Sequence, residues 1–68
     1  MEIFGKRVKH ELNTQGKKQK DLCEHLNIKK TTLSSWLNDV NEPPMDMIVA
    51  IALYLDVTTD YLLGLEDY

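Results

Sequence analysis

Apolar side chains recur every three or four positions along most of this chain, a period that predicts five short helices and no strands. Phe4, Val8 and Leu12 lie one turn apart and mark a first helix over about 2–14, which Gly16 can stop in a left-handed conformation. Leu22, Cys23 and Leu26 form the inner side of a second helix, about 19–26. Asn27 follows, one of the few non-glycine residues that tolerates positive φ, and Ile28 plugs the turn. A third helix, about 30–38, turns Leu33, Trp36 and Leu37 inward and leaves Lys30, Thr31, Ser34, Ser35 and Asn38 on one polar face. Residues 39–43 are a loop. Pro44 then suits the first turn of a fourth helix, about 44–55. Met45, Ile48, Val49, Ile51, Ala52 and Leu55 give that helix an apolar surface wide enough for a central buried element. Asp56 ends it, Thr58 caps a last helix over about 59–63, Leu62 points inward and Gly64 terminates. The tail Leu65–Tyr68 frays.

Sixty-eight residues make one domain, 1–68, near the lower limit for a core that holds itself together. The single cysteine, Cys23, cannot form an internal disulfide and reads as a small buried hydrophobe, which implies a reducing cytoplasm. The N-terminus lacks the apolar run of a signal peptide, and no segment approaches the ~18 apolar residues of a membrane span, so a membrane is not expected as a partner.

Net charge is −3, which argues against nucleic acid until the positions are read. All eight basic residues lie in the first 30 positions; with four acidic residues they give residues 1–37 a balance of +4. Residues 38–68 carry seven acidic side chains and no Lys or Arg, a balance of −7. Such a chain can show a basic face to one partner and an acidic face to solvent. Lys29 and Lys30 stand where the third helix begins, at the positive end of its dipole, where cations cost stability unless an anion arrives.

Two short helices joined by a turn of about three residues form a helix-turn-helix, whose second helix can lie in the DNA major groove. The segment KKQKDLCEHLNIKKTTLSSWLN resembles the phage-repressor and Cro-like helix-turn-helix family, and PPMDMIVAIALYLDVTTDYLLGL resembles that family's fourth and fifth helices. The resemblance spans roughly residues 4 to 65. It implies an all-α, five-helix lambda-repressor-like fold and a sequence-specific regulator of transcription that binds double-stranded DNA, with repression as its expected action. It also implies contacts. Gln19 meets a phosphate through its backbone N–H and side chain. Lys29, Lys30, Thr31, Ser34 and Ser35 face bases or adjacent phosphates, and Asn38 touches the backbone again. Lys17, Lys18 and Lys20 are open to two readings, a solvated cluster or a phosphate grip; Lys18, beside Gln19, joins the candidate contacts. One module buries little surface, so a homodimer on a palindromic operator is expected, with Tyr54, Tyr61, Leu65 and Tyr68 as candidates for its contact.

The chain departs from the family pattern in several places. Cys23 replaces a small residue that is often alanine, and Asn27 replaces the usual turn glycine. Lys29 stands where Ser or Thr often caps the third helix, a loss of ~1 kcal/mol unless Thr31 takes over as cap of a shortened helix. The loop Asp39–Glu42 is acidic where the family is often basic. Leu12 and Leu37 occupy the positions of a buried Arg–Glu pair, a joint replacement that is often neutral or stabilising. No His–Glu metal spacing, cysteine pair or phosphate-cradling glycine loop is present, and the scattered carboxylates lack a framing pocket, so neither catalysis nor a metal or cofactor is expected. Two other readings stay open: a protein-binding module, such as an antitoxin or anti-repressor component, and the DNA-reading domain of a longer ligand-sensing regulator.

Overall fold

A computed structural model describes residues 2–67 and contains α1 (Glu2–Thr14), α2 (Gln19–Leu26), α3 (Lys30–Leu37), α4 (Met45–Leu55) and α5 (Thr59–Leu62), with no strand among them. Four of the helices close in the same way, α5 among them, where Gly64 stands at φ 83° and Leu65 donates its N–H to Asp60 O. Gly16, Asn27 and Asp56 adopt φ of 68°, 56° and 55°. The next residue then donates its N–H back five positions: Lys17 to Leu12 O, Ile28 to Cys23 O and Val57 to Ala52 O. This double closure satisfies the last carbonyls of each helix. Ile28 and Val57 then pack against the core, which fixes the direction in which the chain leaves α2 and α4. Of the four helix starts after α1, only α5 has a side-chain cap: Thr58 Oγ1 accepts from the Tyr61 N–H at 3.0 Å.

The core draws on every helix. Phe4, Val8, Leu22, Leu33, Ile51, Leu55 and Leu62 are fully enclosed, and Trp36 is 7% exposed, a core residue with only its edge in water. Leu12 and Leu37 are both buried in this cluster, as joint replacement of an ion pair requires. α1 packs on α3 and α5, α2 on α3 and α4, and α4 on α5. The α1–α3 crossing is backbone to backbone. A Cβ placed on Gly5 would lie 2.0 Å from Leu37 O, so only glycine lets α1 pass the end of α3 at this distance.

Several expectations are corrected. Pro44 is not inside α4 but precedes it, in an extended conformation (φ −63°, ψ 156°) as the N-cap residue. Its carbonyl accepts from Met47 N and Ile48 N, so the helix begins one residue later than expected. Asn38 and Leu63 likewise lie just past the ends of α3 and α5. α4 is not enclosed on all sides: Ile48, Ile51, Ala52 and Leu55 face the core, whereas Met45 and Val49 are exposed together with Leu53. Periodicity marks the apolar residues of α4, but only α2 and α5 pack substantially against it, and they cover one face.

Arg7 ties the C-terminal segment down. Its Nη1 donates to Tyr61 O at 2.6 Å and to Glu66 O, and its guanidinium lies 4.6 Å from the centre of the Tyr61 ring. The Tyr61 hydroxyl donates to Glu11 Oε2 at 2.9 Å, and Thr58 Oγ1 donates to Glu66 Oε1 at 3.1 Å. Tyr61 is therefore buried and committed, and is removed from the candidate dimer contacts. Tyr54 is half-buried between the His25 ring at 4.7 Å and Lys17 Nζ at 4.6 Å. Leu65 is exposed, and Tyr68 lies outside the described residues.

Candidate nucleic-acid interface

The inner edges of α2 and α3 set the site. Leu22 and Leu33 have no exposure, and Trp36 and Leu37 anchor the rest of α3, so the helix has one rotational setting. In that setting Lys30, Thr31 and Asn38 are exposed and Ser34 and Ser35 half-buried, on the edge away from the core. Lys18 and Lys29, which precede α2 and α3, are exposed as well, and Gln19 is half-buried at the first turn of α2. All eight candidate residues thus lie at the starts of α2 and α3 and along the outer edge of α3.

No side chain caps α2 or α3. Lys18 and Lys29 occupy the N-cap positions in extended conformation and make no cap hydrogen bond. α3 starts at Lys30 all the same, so Thr31 does not become the cap of a shorter helix. N–H groups at such uncapped starts suit a phosphate oxygen, which the helix dipole also favours. The loop Asp39–Glu42 is exposed and acidic, with Asp39 in the left-handed region at φ 61°.

The lysines divide into two groups. Lys6 pairs with Glu2 at 2.9 Å, and Lys17 Nζ donates to Tyr54 O at 3.1 Å while facing that ring. Lys17 therefore leaves the cluster in which sequence had placed it. Lys18, Lys20, Lys29 and Lys30 are exposed, and their side chains hold no hydrogen bond or salt bridge among the described residues. Burial pushes the Cys23 thiol above its ordinary range; nearby Lys30 partly offsets this and Glu24 adds to it.

Three polar side chains form a chain across α1 and α3 that sequence reasoning missed. Lys9 Nζ donates to Asn38 Oδ1 at 2.9 Å, and Asn38 Nδ2 donates to Ser34 Oγ at 3.1 Å. Ser35 instead turns back on its own helix, donating to Thr32 O at 2.8 Å. Lys9 belongs to the basic half but lies outside the two-helix motif; only the packing of α1 on α3 brings it to the site.

A helix of this size fits the major groove of B-DNA, about 12 Å wide. Fold and site together define a DNA-binding domain of the helix-turn-helix class. The helix-turn-helix family model matches residues 8–62, and the chain belongs to that family, in its phage-repressor type, a family of DNA-binding transcription regulators rather than of enzymes. Over 64 residues the chain is 36% identical to the HTH-type transcriptional regulator ImmR of Bacillus subtilis (strain 168), a match covering 94% of this chain and 50% of that protein. Over 46 residues it is 37% identical to the uncharacterized HTH-type transcriptional regulator YobD of the same strain, covering 68% of this chain and 41% of that protein. The chain thus spans about half the length of these relatives, or less. No solved structure matches it significantly. No helix among the described residues is long and apolar enough to cross a membrane.

Proposed function

We propose that this domain is the sequence-reading part of a cytoplasmic transcriptional repressor, without catalytic activity of its own, that binds a palindromic operator as a homodimer. In this reading Lys18, Gln19 and Lys29 hold phosphates and set the register. Lys30, Thr31, Ser34 and Ser35 read base edges, and Asn38 meets the backbone at the far end of α3. The observation that carries it is the rotational setting of α3, with Leu33, Trp36 and Leu37 sealed in the core and the hydroxyl-rich edge outside. The regulators ImmR and YobD among its relatives support the regulatory role. Two copies are invoked because one module buries too little surface for useful affinity, and half-sites one DNA turn apart suit a two-fold pair.

Selection of bound duplexes from a random pool tests this reading directly. A palindrome with half-sites about 10 base pairs apart is expected. Affinity for it should fall by ~0.9 log units per neutralised phosphate for each decade of salt. Lys29→Ala should weaken binding to all sequences, whereas Lys30→Ala and Ser35→Ala should each alter preference at one position per half-site. Recovery of no sequence, or full affinity and preference in all three variants, refutes the assignment.

A further inference from the structure

We propose that the two adjacent serines of α3 are set to opposite hydrogen-bonding polarity, Ser34 as donor and Ser35 as acceptor, and that Lys9 on α1 sets the first of them. This rests on the reading of α3 as the base-reading helix and specifies which bases it accepts.

The polarity follows from groups that have only one option. A lysine ammonium can donate but never accept, so the Asn38 amide must turn its oxygen to Lys9. Its NH₂ group then faces Ser34, as observed, and the Ser34 oxygen accepts from it. One lone pair of Ser34 is occupied and its proton is uncommitted among the described residues. Accepting a bond also makes a hydroxyl the stronger donor. Ser35 is fixed from the other side. The Thr32 carbonyl can only accept, so the Ser35 proton is consumed there and its lone pairs remain for an incoming donor.

In the major groove the keto oxygens of guanine (O6) and thymine (O4) occupy the places that the amino groups of adenine (N6) and cytosine (N4) hold in the other two bases. A donor hydroxyl directed at those places, rather than at the purine N7 that A and G share, therefore selects a keto base on the strand it approaches, and an acceptor hydroxyl there selects an amino base. Ser34 should read G or T and Ser35 should read A or C, at two distinct positions of each half-site. Lys9 touches no base in this scheme. It is a positioning residue that holds the amide of Asn38 one way round.

The test is duplex selection with the native domain and four variants, each checked for an unchanged helical spectrum and melting point. Ser34→Ala and Ser35→Ala locate the two positions by the preference each removes. Lys9→Met keeps the aliphatic stem but deletes the donor that orients Asn38, whose amide can then turn and accept from Ser34. Lys20→Met removes a charge of the same kind from an exposed site with no such link. The native domain should favour keto over amino bases about fivefold at the Ser34 position, the value of one net hydrogen bond, with the reverse at the Ser35 position. Lys9→Met should bring the first ratio close to one and leave the second intact; Lys20→Met should lower affinity and change neither ratio. A native site whose keto preference survives Lys9→Met, or a Ser35 position that takes G or T, overturns the polarity scheme while leaving DNA reading in place. Failure of the native domain to select any sequence removes the reading beneath it.

Discussion

Gly5→Ala tests the crossing that seats α3. In an ordinary helix interior this change gains ~1 kcal/mol, because alanine is the better helix former. Here the new Cβ would meet backbone, 2.0 Å from Leu37 O and 2.7 Å from Leu37 C, and neither atom can swing aside. Taking ~3.3 Å as the closest comfortable approach of carbon to a carbonyl oxygen, α1 must retreat by about 1.3 Å. A gap of that size forfeits at least a quarter of each affected contact; over roughly 50 contacts of ~0.15 kcal/mol this is ~2 kcal/mol per core side chain. Phe4 and Val8 flank Gly5 and are fully enclosed, so the gross loss is about 3 kcal/mol even if they share neighbours, and about 2 kcal/mol net of the propensity gain. For a domain of this size that lowers the melting temperature by ~10 °C, measured by circular dichroism and checked by urea titration. Gly16→Ala is the control. It has open space around the new Cβ and costs only its left-handed backbone, ~1 kcal/mol. A Gly5→Ala domain that melts at or above the native temperature would show that α1 and α3 do not cross at this distance.

Leu12→Arg places an unpaired cation in the core and should destabilise by ~3 kcal/mol; adding Leu37→Glu should recover most of that, and a double variant no more stable than the single one would separate the two sites. Stability should decline in alkaline solution. Burial raises the Cys23 thiol, and burial followed by the Glu11 carboxylate raises the Tyr61 phenol against a smaller opposing effect of Arg7. Both groups keep their protons longer in the folded state, so their contribution is whole below the ordinary thiol pKa of about 8.5 and is lost as pH rises through the folded values. Urea midpoints measured from pH 7 to 11 check this, and a midpoint that rises over the range contradicts it. Arg7→Met removes the donor to Tyr61 O and Glu66 O and should cost about 1.5–3 kcal/mol, with faster amide exchange at residues 63–66 than in α3. Uniform exchange across both segments would count against the clamp.

The helices were legible because each carries its own period and its own stop. Leu22, Leu33 and Trp36 announce their burial by spacing, and Asn27 and Asp56 announce left-handed closures by residue type. What spacing cannot reveal is partnership across the chain. Nothing local to Gly5 signals the approach of Leu37, and nothing local to Arg7 signals that the carbonyls of Tyr61 and Glu66 will meet it. The extent of α4 burial was overestimated for the same reason: apolar residues such as Met45 and Val49 are covered only if another element reaches them. At the interface, residue types on α3 could be read off directly. The direction in which each hydroxyl points its proton depends on Lys9 and on the Thr32 carbonyl, and it emerges only after packing.

Confining every Lys and Arg to α1–α3 and the segments between them, while residues 38–68 carry seven acidic side chains and no Lys or Arg, gives the molecule a permanent dipole along with its overall negative charge. The two oppose each other near a polyanion: the monopole repels in every pose, whereas the dipole attracts in one and repels in the reverse. Across a body 29 × 25 × 18 Å, a screening length of ~8 Å at physiological salt lets the duplex sense mainly the nearer face. Encounters led by the carboxylates of residues 38–68 are turned away and those led by the lysines at the starts of α2 and α3 are drawn in, so docking is sorted by orientation before any base is touched.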